Sequence, residues 1–273
     1  AVRRWKGGGY GSSDIKPLGT LIGHTAPNNL LKIMPCALCL EDKKLCESHI
    51  YPEFLYNRIY DDDHTYKVVT TDEDDRVGTR PKGIYEELLC EDCEGLLSRW
   101  ETYAAELLFQ KAKTTERSGQ LIAHGVNYMK FKLFQLSLLW RTAVSSRKEI
   151  PDIDLGPHEE AMRKMLLSST PGSPSKYGCM MSFVPDQTEM LSGGLFPPDL
   201  VKVGGHHCYR CIFGGIFWAY FVSNHASNIP YEEVMLTRNG RLPITNAGQF
   251  GLKYLVDLAD DFRSSNSNLF DSD

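Results

Sequence analysis

The chain has 273 residues, enough for one large domain or two modest ones whose cores need no disulfides. Its net charge of −5 disfavours a protein whose whole surface binds a polyanion, and its eight cysteines are too sparse for the disulfide framework of a small secreted protein. No apolar signal core follows the first basic residues, so we expect a cytoplasmic protein that does not contact a membrane.

The ends of the chain differ in composition from its middle. Residues 1–30 are rich in Gly, Ser, Asn and Pro and are predicted to form a flexible arm, and residues 263–273 are predicted to form a disordered tail. Between them we expect a metal-bound unit at 31–115 and a helical plus antiparallel β domain at 116–262. Inside the first unit, residues 61–83 are acidic and polar, which predicts a long surface loop.

Three stretches carry apolar residues at helical spacing. A first helix is predicted within 86–113, where it carries or follows the last cysteine pair. The second, at 126–146, is apolar on nearly every side and is predicted to be buried. A third is predicted at 157–167.

From residue 177 onward, short apolar runs are separated by turn residues, a pattern typical of strands. The predicted strands lie at 180–184, 200–203, 209–222, 234–236 and 242–245. Asn239-Gly240 is predicted to form a two-residue hairpin turn between the last two. Without βαβ alternation or an internal repeat, the pattern indicates an α+β fold with an antiparallel sheet after the metal-bound unit.

Four of the cysteines form two C-x2-C pairs, Cys36 with Cys39 and Cys90 with Cys93. Thiolates at this spacing bind tetrahedral Zn²⁺ with little backbone strain, so a structural zinc site is predicted. Cys46 is close enough in sequence to replace one ligand, but we favour a packing role for it.

A second group of His and Cys residues occurs at 204–211. Histidine and cysteine at this spacing bind metals in other proteins. Alternation along a strand would, however, direct neighbouring side chains to opposite faces. We therefore predict that Cys208 and Cys211 belong to the core.

The residues around the cysteine pairs resemble the HNH endonuclease family. That family often places C-x2-C before an apolar-flanked His-Ile-x-Pro and ends its motif with Leu-Cys-x2-Cys. The matching stretches here are 36–39, Ser48-His49-Ile50-Tyr51-Pro52 and 89–93, and the resemblance covers residues 36 to about 101. It implies a zinc-stabilised ββα-metal unit, one catalytic divalent cation and a histidine that activates water. By position that histidine is His49, although a lone histidine beside apolar residues is also typical of a structural residue.

Two departures from the family pattern concern the catalytic cation. Ser48 stands where the family usually has an acidic residue, and Glu94 stands where it often has a histidine. Glu94 still offers oxygen to Mg²⁺ or Mn²⁺, with Ni²⁺ and Zn²⁺ as further candidates, and Glu101 lies two turns along nearly the same helix face. For Glu101 we favour the alternative, a capping box with Ser98.

A basic segment offers candidate contacts to DNA. Residues 111–148 hold eight Lys or Arg and one acid. Such a surplus favours phosphate binding, with a solvated helix surface as the alternative. The candidate substrate-binding residues are Lys130, Lys132 and Arg141.

These patterns support competing hypotheses about function. The first is a metal-dependent HNH-type endonuclease that hydrolyses DNA, with His49 as base and Glu94 and Glu101 holding the cation. The resemblance implies a setting in bacterial defence or mobile elements. The second is a catalytically inactive, zinc-stabilised interaction protein, which the acidic net charge favours. The third and least favoured hypothesis is a zinc-containing RNA-binding module. Such a module is expected to have exposed aromatic residues clustered beside Lys or Arg, and the sequence shows no clear set of them. A protein partner or a second copy of the chain would bind through the C-terminal region.

Overall fold

The computed structural model describes residues 33–69, 77–111, 113–117, 120–150, 152–184, 194–223 and 229–246. These residues belong to one compact unit that begins at Ile33. The predicted arm at 1–30 and tail at 263–273 lie outside the described residues. The domain boundary predicted after residue 115 falls inside a strand, Lys113–Arg117.

A three-stranded antiparallel sheet and a helix form the first part of the fold. Strands β1 (Ile33–Pro35), β2 (Asp42–His49) and β5 (Tyr85–Cys90) pair in the order β1-β2-β5. Helix α2 (Glu91–Glu106) follows β5 directly, and acids in its first turn favour a helix N-terminus. Strands β2 and β5 and helix α2 thus make a strand–strand–helix unit.

Between β2 and β5 the chain forms a short helix and a hairpin. Helix α1 spans Glu53–Tyr56, and strands β3 (Tyr66–Val69) and β4 (Val77–Arg80) pair antiparallel. Strand β3 also pairs in parallel with β9 (Gly194–Val203), so the hairpin extends the large sheet. The prediction of a long surface loop at 61–83 is therefore wrong. The strands of four residues each are too short for their pattern to stand out among the polar residues of this segment.

The large sheet has nine strands within the described residues, in the order β4-β3-β9-β10-β11-β8-β12-β7-β6. Neighbouring strands are antiparallel except the pairs β3–β9 and β8–β12. The α+β class predicted from the sequence is confirmed. The remaining strands are β6 (Lys113–Arg117), β7 (Gln120–His124), β8 (Cys179–Phe183), β10 (His206–Phe213), β11 (Ile216–Val222) and β12 (Leu242–Asn246).

The apolar run predicted as one strand at 209–222 is divided by a two-residue turn. Gly214 and Gly215 both have positive φ, at 59° and 68°, which glycine adopts without strain. A Cβ on Gly214 would also lie 3.0 Å from the backbone oxygen of Leu55. Strand β11 is buried along its whole length, because apolar clusters cover both faces of the sheet there.

Helix α3 (Tyr128–Val144) is the centre of the core and confirms the helix predicted at 126–146. Asn127 caps it by accepting a hydrogen bond from the Lys130 N–H at 3.0 Å. The helix contacts α2 and α4 (Pro157–Leu167), the third predicted helix. The rings of Phe134 and Trp218, 6.2 Å apart, join it to the large sheet.

The predicted hairpin around Asn239-Gly240 is not formed. Of the strand predicted at 234–236, Val234 ends a 3₁₀ helix (Glu232–Val234) and Met235 forms an isolated bridge with Met180. The Thr237 N–H donates to the Arg241 carbonyl to close a turn. Strand β12 pairs instead with β7 and β8. Its partners are distant in sequence, so the local pattern could not identify them.

Candidate functional site

The four paired cysteines converge on one point. Their Sγ atoms all lie within 4.8 Å of one another, and those of Cys39 and Cys90 are 3.9 Å apart. A tetrahedral zinc with Zn–S bonds of about 2.3 Å would separate its sulfurs by roughly 3.8 Å. The cluster formed by Cys36, Cys39, Cys90 and Cys93, called the cysteine cluster below, can therefore hold a metal ion.

Two chain segments build the cysteine cluster. Cys36 follows β1 in a turn closed by the Leu40 N–H, while Cys90 ends β5 and Cys93 lies in the first turn of α2. The Cys90 N–H donates to the Cys36 Sγ at 3.3 Å. Burial opposes ionisation of the Cys36 thiol, but backbone N–H donors from Cys39 and Cys90 outweigh it and lower the pKa. These donors stabilise the thiolate of Cys36, the form that binds a metal, whereas burial raises the pKa of Cys39 and Cys93.

In the part of the chain that the structure describes, the cysteine cluster is the sole group of three or more potential ligands close enough to share a metal. The histidine and cysteine residues at 204–211 do not form a second one. Cys208 and Cys211 are fully buried in different apolar clusters, in agreement with the predicted core role. Cys46 is half-buried on β2 outside the cysteine cluster.

His49 is the last residue of β2, and its imidazole is partly exposed. Its Nε2 lies 2.9 Å from a carboxylate oxygen of Glu53 in α1. The other Glu53 oxygen accepts a hydrogen bond from the Tyr60 hydroxyl at 3.3 Å. Tyr85, the β5 partner of His49, places its ring centroid 4.0 Å from the imidazole. The imidazole is therefore held by Glu53 at Nε2 and by the Tyr85 ring at its face.

Arg141 of α3 fixes the main chain at the same point. Its guanidinium donates to the His49 carbonyl at 2.7 Å and contacts a Glu101 oxygen of α2 at 2.6 Å. The Arg141 side chain is 1% exposed, so this is a buried ion pair. It connects α3, α2 and the end of β2.

Glu94 lies in the first turn of α2 beside Ser48. A β-bulge between Cys46 and Glu47 shifts the strand register and accompanies the complete burial of Ser48. The Ser48 hydroxyl donates to the Cys46 carbonyl at 3.4 Å and accepts from the Leu89 N–H at 3.1 Å. The Oε1 atom of Glu94 is buried and has no hydrogen-bond partner in the described residues. Burial raises the pKa of Glu94, although the charges of Arg141 and His49 oppose the shift.

The capping-box interpretation of Glu101 is wrong. Helix α2 begins at Glu91, with Cys90 as its N-cap, so Ser98 lies inside the helix, and its carbonyl accepts from Thr102. Glu101 pairs with Arg141 instead. The local motif matched, but the true helix start lies further toward the N-terminus.

Burial removes two of the three candidate DNA contacts. Lys132 is 2% exposed and donates to the carbonyls of Tyr177 and Pro174, while Arg141 is buried as described. Desolvation lowers the pKa of Lys132 to about 8. A helix buried on all sides must satisfy its charges internally, so the expectation that these two residues grip DNA is corrected. Lys130 is half-exposed, with Nζ 5.5 Å from the Tyr103 ring centroid, and its role stays a prediction.

Sequence reasoning missed two residues of this site. Glu53 stands four residues after His49, a spacing that could have suggested a pair if α1 had been predicted. Arg141 was predicted to contact DNA, and its role beside His49 and Glu101 was missed. Its contacts come from segments distant in sequence, and no local signal identifies them.

No helix among the described residues is long and apolar enough to span a membrane. No protein-family model, no curated protein and no solved structure matches the chain. The HNH resemblance therefore stays a prediction based on the motif residues themselves.

Proposed function

We propose that the protein is a metal-dependent endonuclease of the HNH type that hydrolyses DNA phosphodiester bonds, with His49 as the general base. The observation that carries this proposal is the pairing of a partly exposed, anchored histidine with a buried carboxylate that has an unpaired oxygen. His49 ends β2, and Glu94 lies in the first turn of α2, close enough for the two side chains to interact electrostatically. Phosphodiester hydrolysis requires a proton acceptor near neutrality and a cation that neutralises the phosphate.

The residues fit a hard divalent cation. Mg²⁺ usually binds through one or two carboxylates and completes its shell with water and substrate phosphate. Glu94 Oε1 is a free carboxylate oxygen of this kind, and Glu101 would contribute the oxygen that does not contact Arg141. When bound, such an ion would stabilise the charge that develops on the phosphate. Mn²⁺, Ni²⁺ and Zn²⁺ are the other candidates.

We further propose that the cysteine cluster holds structural zinc. Four thiolates are the donor set of closed zinc sites. Cys90 and Cys93 lie on either side of the junction between β5 and α2, and Glu94 comes next in sequence. A zinc ion there would fix the start of α2 and with it the position of Glu94.

In this proposal the protein's own residues perform three tasks. His49 accepts the proton of the attacking water. Arg141 immobilises the main chain at His49 through the carbonyl hydrogen bond of 2.7 Å. Lys130, in the partly exposed first turn of α3, contributes a long-range attraction for the DNA backbone.

The decisive experiment compares plasmid cleavage by the wild type, His49→Ala and His124→Ala in Mg²⁺, Mn²⁺ or Ni²⁺. His124 is an exposed histidine on β7 and serves as the control. Loss of a general base lowers rates by about 10²- to 10⁴-fold. We expect that loss for His49→Ala alone. Equal cutting by the wild type and His49→Ala would overturn the assignment, and single-stranded RNA in a parallel assay tests the choice of DNA.

One observation favours the second hypothesis, a catalytically inactive interaction protein. The Arg141 guanidinium already supplies a positive charge at Glu101, and no three-ligand site outside the cysteine cluster occurs in the described ranges. Calorimetric titration of the zinc-loaded protein with Mn²⁺ separates the two hypotheses. Binding that is lost in Glu94→Gln supports the nuclease. Absence of both binding and cleavage would favour the interaction protein.

A further inference from the structure

We propose that Glu53 is the positioning residue of His49 and that it makes Nδ1 the basic nitrogen. This inference rests on the proposed function insofar as His49 is the base. The underlying observation is the 2.9 Å contact between the His49 Nε2 and the Glu53 Oε2. Glu53 lies outside the segments that carry the HNH resemblance.

The contact determines which imidazole nitrogen is protonated. A carboxylate only accepts hydrogen bonds, and a neutral imidazole has one N–H donor and one acceptor nitrogen. Nε2 must therefore carry the proton that it donates to Glu53. The acceptor lone pair is left on Nδ1, which makes no hydrogen bond within the described part of the chain. The imidazole is 28% exposed, so water can reach this side chain.

Glu53 is itself held in place. Its second oxygen accepts from the Tyr60 hydroxyl at 3.3 Å, and the Tyr60 ring stacks on that of Tyr56, which is buried. Tyr85 packs against the imidazole, and Arg141 anchors the carbonyl of the same residue. The histidine thus has fixed contacts at Nε2, at the ring face and at the main chain, which leaves Nδ1 for chemistry.

The reaction step balances with these groups. The O–H bond of the attacking water breaks and its proton passes to Nδ1, while the water oxygen forms a bond to phosphorus. The ester P–O bond breaks, and the leaving oxygen takes a proton from solvent. The imidazolium, now with two N–H groups, is stabilised by the Glu53 carboxylate until it returns the Nδ1 proton to solvent.

A spectroscopic test does not depend on activity. In ¹⁵N-labelled zinc-loaded protein we expect a His49 Nε2–H signal that exchanges slowly with water, because the proton is hydrogen-bonded. Glu53→Ala removes the acceptor, so the Nε2 proton should exchange rapidly with water and its signal should broaden or disappear. Glu53→Gln keeps an acceptor oxygen and should retain part of the signal. Glu87→Gln changes an exposed acid on neighbouring β5 and is the matched control. An unchanged signal in Glu53→Ala would overturn the assignment.

Kinetics supply the second test. Loss of an orienting partner typically lowers rates by about 10- to 100-fold. We expect Glu53→Ala to lower kcat by that factor with KM changed less than about two-fold, Glu53→Gln to recover part of it, and Glu87→Gln to match the wild type. Thermal melting checks that the variants fold, as the 43% exposure of Glu53 leads us to expect.

Together, the spectroscopic and the kinetic test distinguish a failure of this inference from a failure of the proposed function. If His49→Ala is inactive but Glu53→Ala keeps full kcat, the positioning role is wrong while the nuclease stands. If no cleavage depends on His49, the nuclease proposal fails, and the Nε2–H signal alone decides whether Glu53 selects the protonated nitrogen.

Discussion

The strand–strand–helix unit and the large sheet use the same residue, cysteine, in opposite ways. In the first, four thiols lie within 4.8 Å of one another, and backbone N–H donors lower the pKa of Cys36, although burial raises the pKa of Cys39 and Cys93. In the second, Cys179, Cys208 and Cys211 are buried separately among apolar side chains, and desolvation raises the pKa of each, that of Cys179 to about 12. The former are arranged as metal ligands and the latter as small apolar residues.

The difference indicates that the two regions are stabilised by different means. The three-stranded sheet is small and one of its strands, Ile33–Pro35, has three residues. A metal ion bound by the cysteine cluster would add to the free energy of folding of this unit. The large sheet has apolar clusters on both faces, and their burial stabilises it.

The largest expected effect is the loss of a cluster ligand. Cys90→Ser should abolish zinc binding and unfold the strand–strand–helix unit, because structural zinc contributes about 10–16 kcal/mol in small metal-binding peptides. Cys211→Ala, the matched change in the large sheet, should cost only about 1–2 kcal/mol and leave the zinc content unchanged. Zinc analysis and near-ultraviolet circular dichroism provide the measurements. A folded, zinc-free Cys90→Ser protein would contradict the distinction.

The next effect concerns the ion pair that joins α2 to α3. Arg141→Met should destabilise the protein by about 3–5 kcal/mol, because the variant leaves Glu101 and the His49 carbonyl without their partner. Adding Glu101→Leu should recover part of the loss, and urea unfolding of both single variants and the double variant measures the coupling.

An exposed ion pair provides the control for the comparison of the single and double variants at Arg141 and Glu101. Arg147 is 45% exposed and pairs with Glu149. Arg147→Met should change the free energy of unfolding by less than about 1 kcal/mol. Equal losses for Arg141→Met and Arg147→Met would mean that the buried pair does not couple the two helices.

The sequence predicted those features that short-range patterns encode. The C-x2-C spacing identified all members of the cysteine cluster, because each pair needs only one turn of chain. Helices α3 and α4 were located within two residues by apolar periodicity. The α+β class followed from these elements and from the strand runs.

Pairings between distant segments were not predictable in the same way. The β3–β4 hairpin joins the large sheet through β9, and β12 lies between β7 and β8, contacts that no local pattern records. In the candidate site, His49 and Glu94 were selected by motif position. Arg141 was assigned to DNA because its charge was visible in the sequence but its burial was not.

The last prediction concerns the other buried charge on α3, Lys132, which donates to the Tyr177 carbonyl. Burial lowers the pKa of Lys132 to about 8, whereas an unfolded lysine titrates near 10.4. Between these values the unfolded chain binds more protons than the folded one, so the free energy of unfolding should rise with pH, by about 2 kcal/mol from pH 8 to pH 10. Cys179, with its raised pKa, acts in the opposite direction and interacts with Lys132 electrostatically, so both proteins carry Cys179→Ala. The informative quantity, measured by urea unfolding, is the free energy of unfolding of Cys179→Ala minus that of the double variant with Lys132→Met. If this difference did not change between pH 8 and pH 10, the pKa of Lys132 in the folded protein would not be lowered.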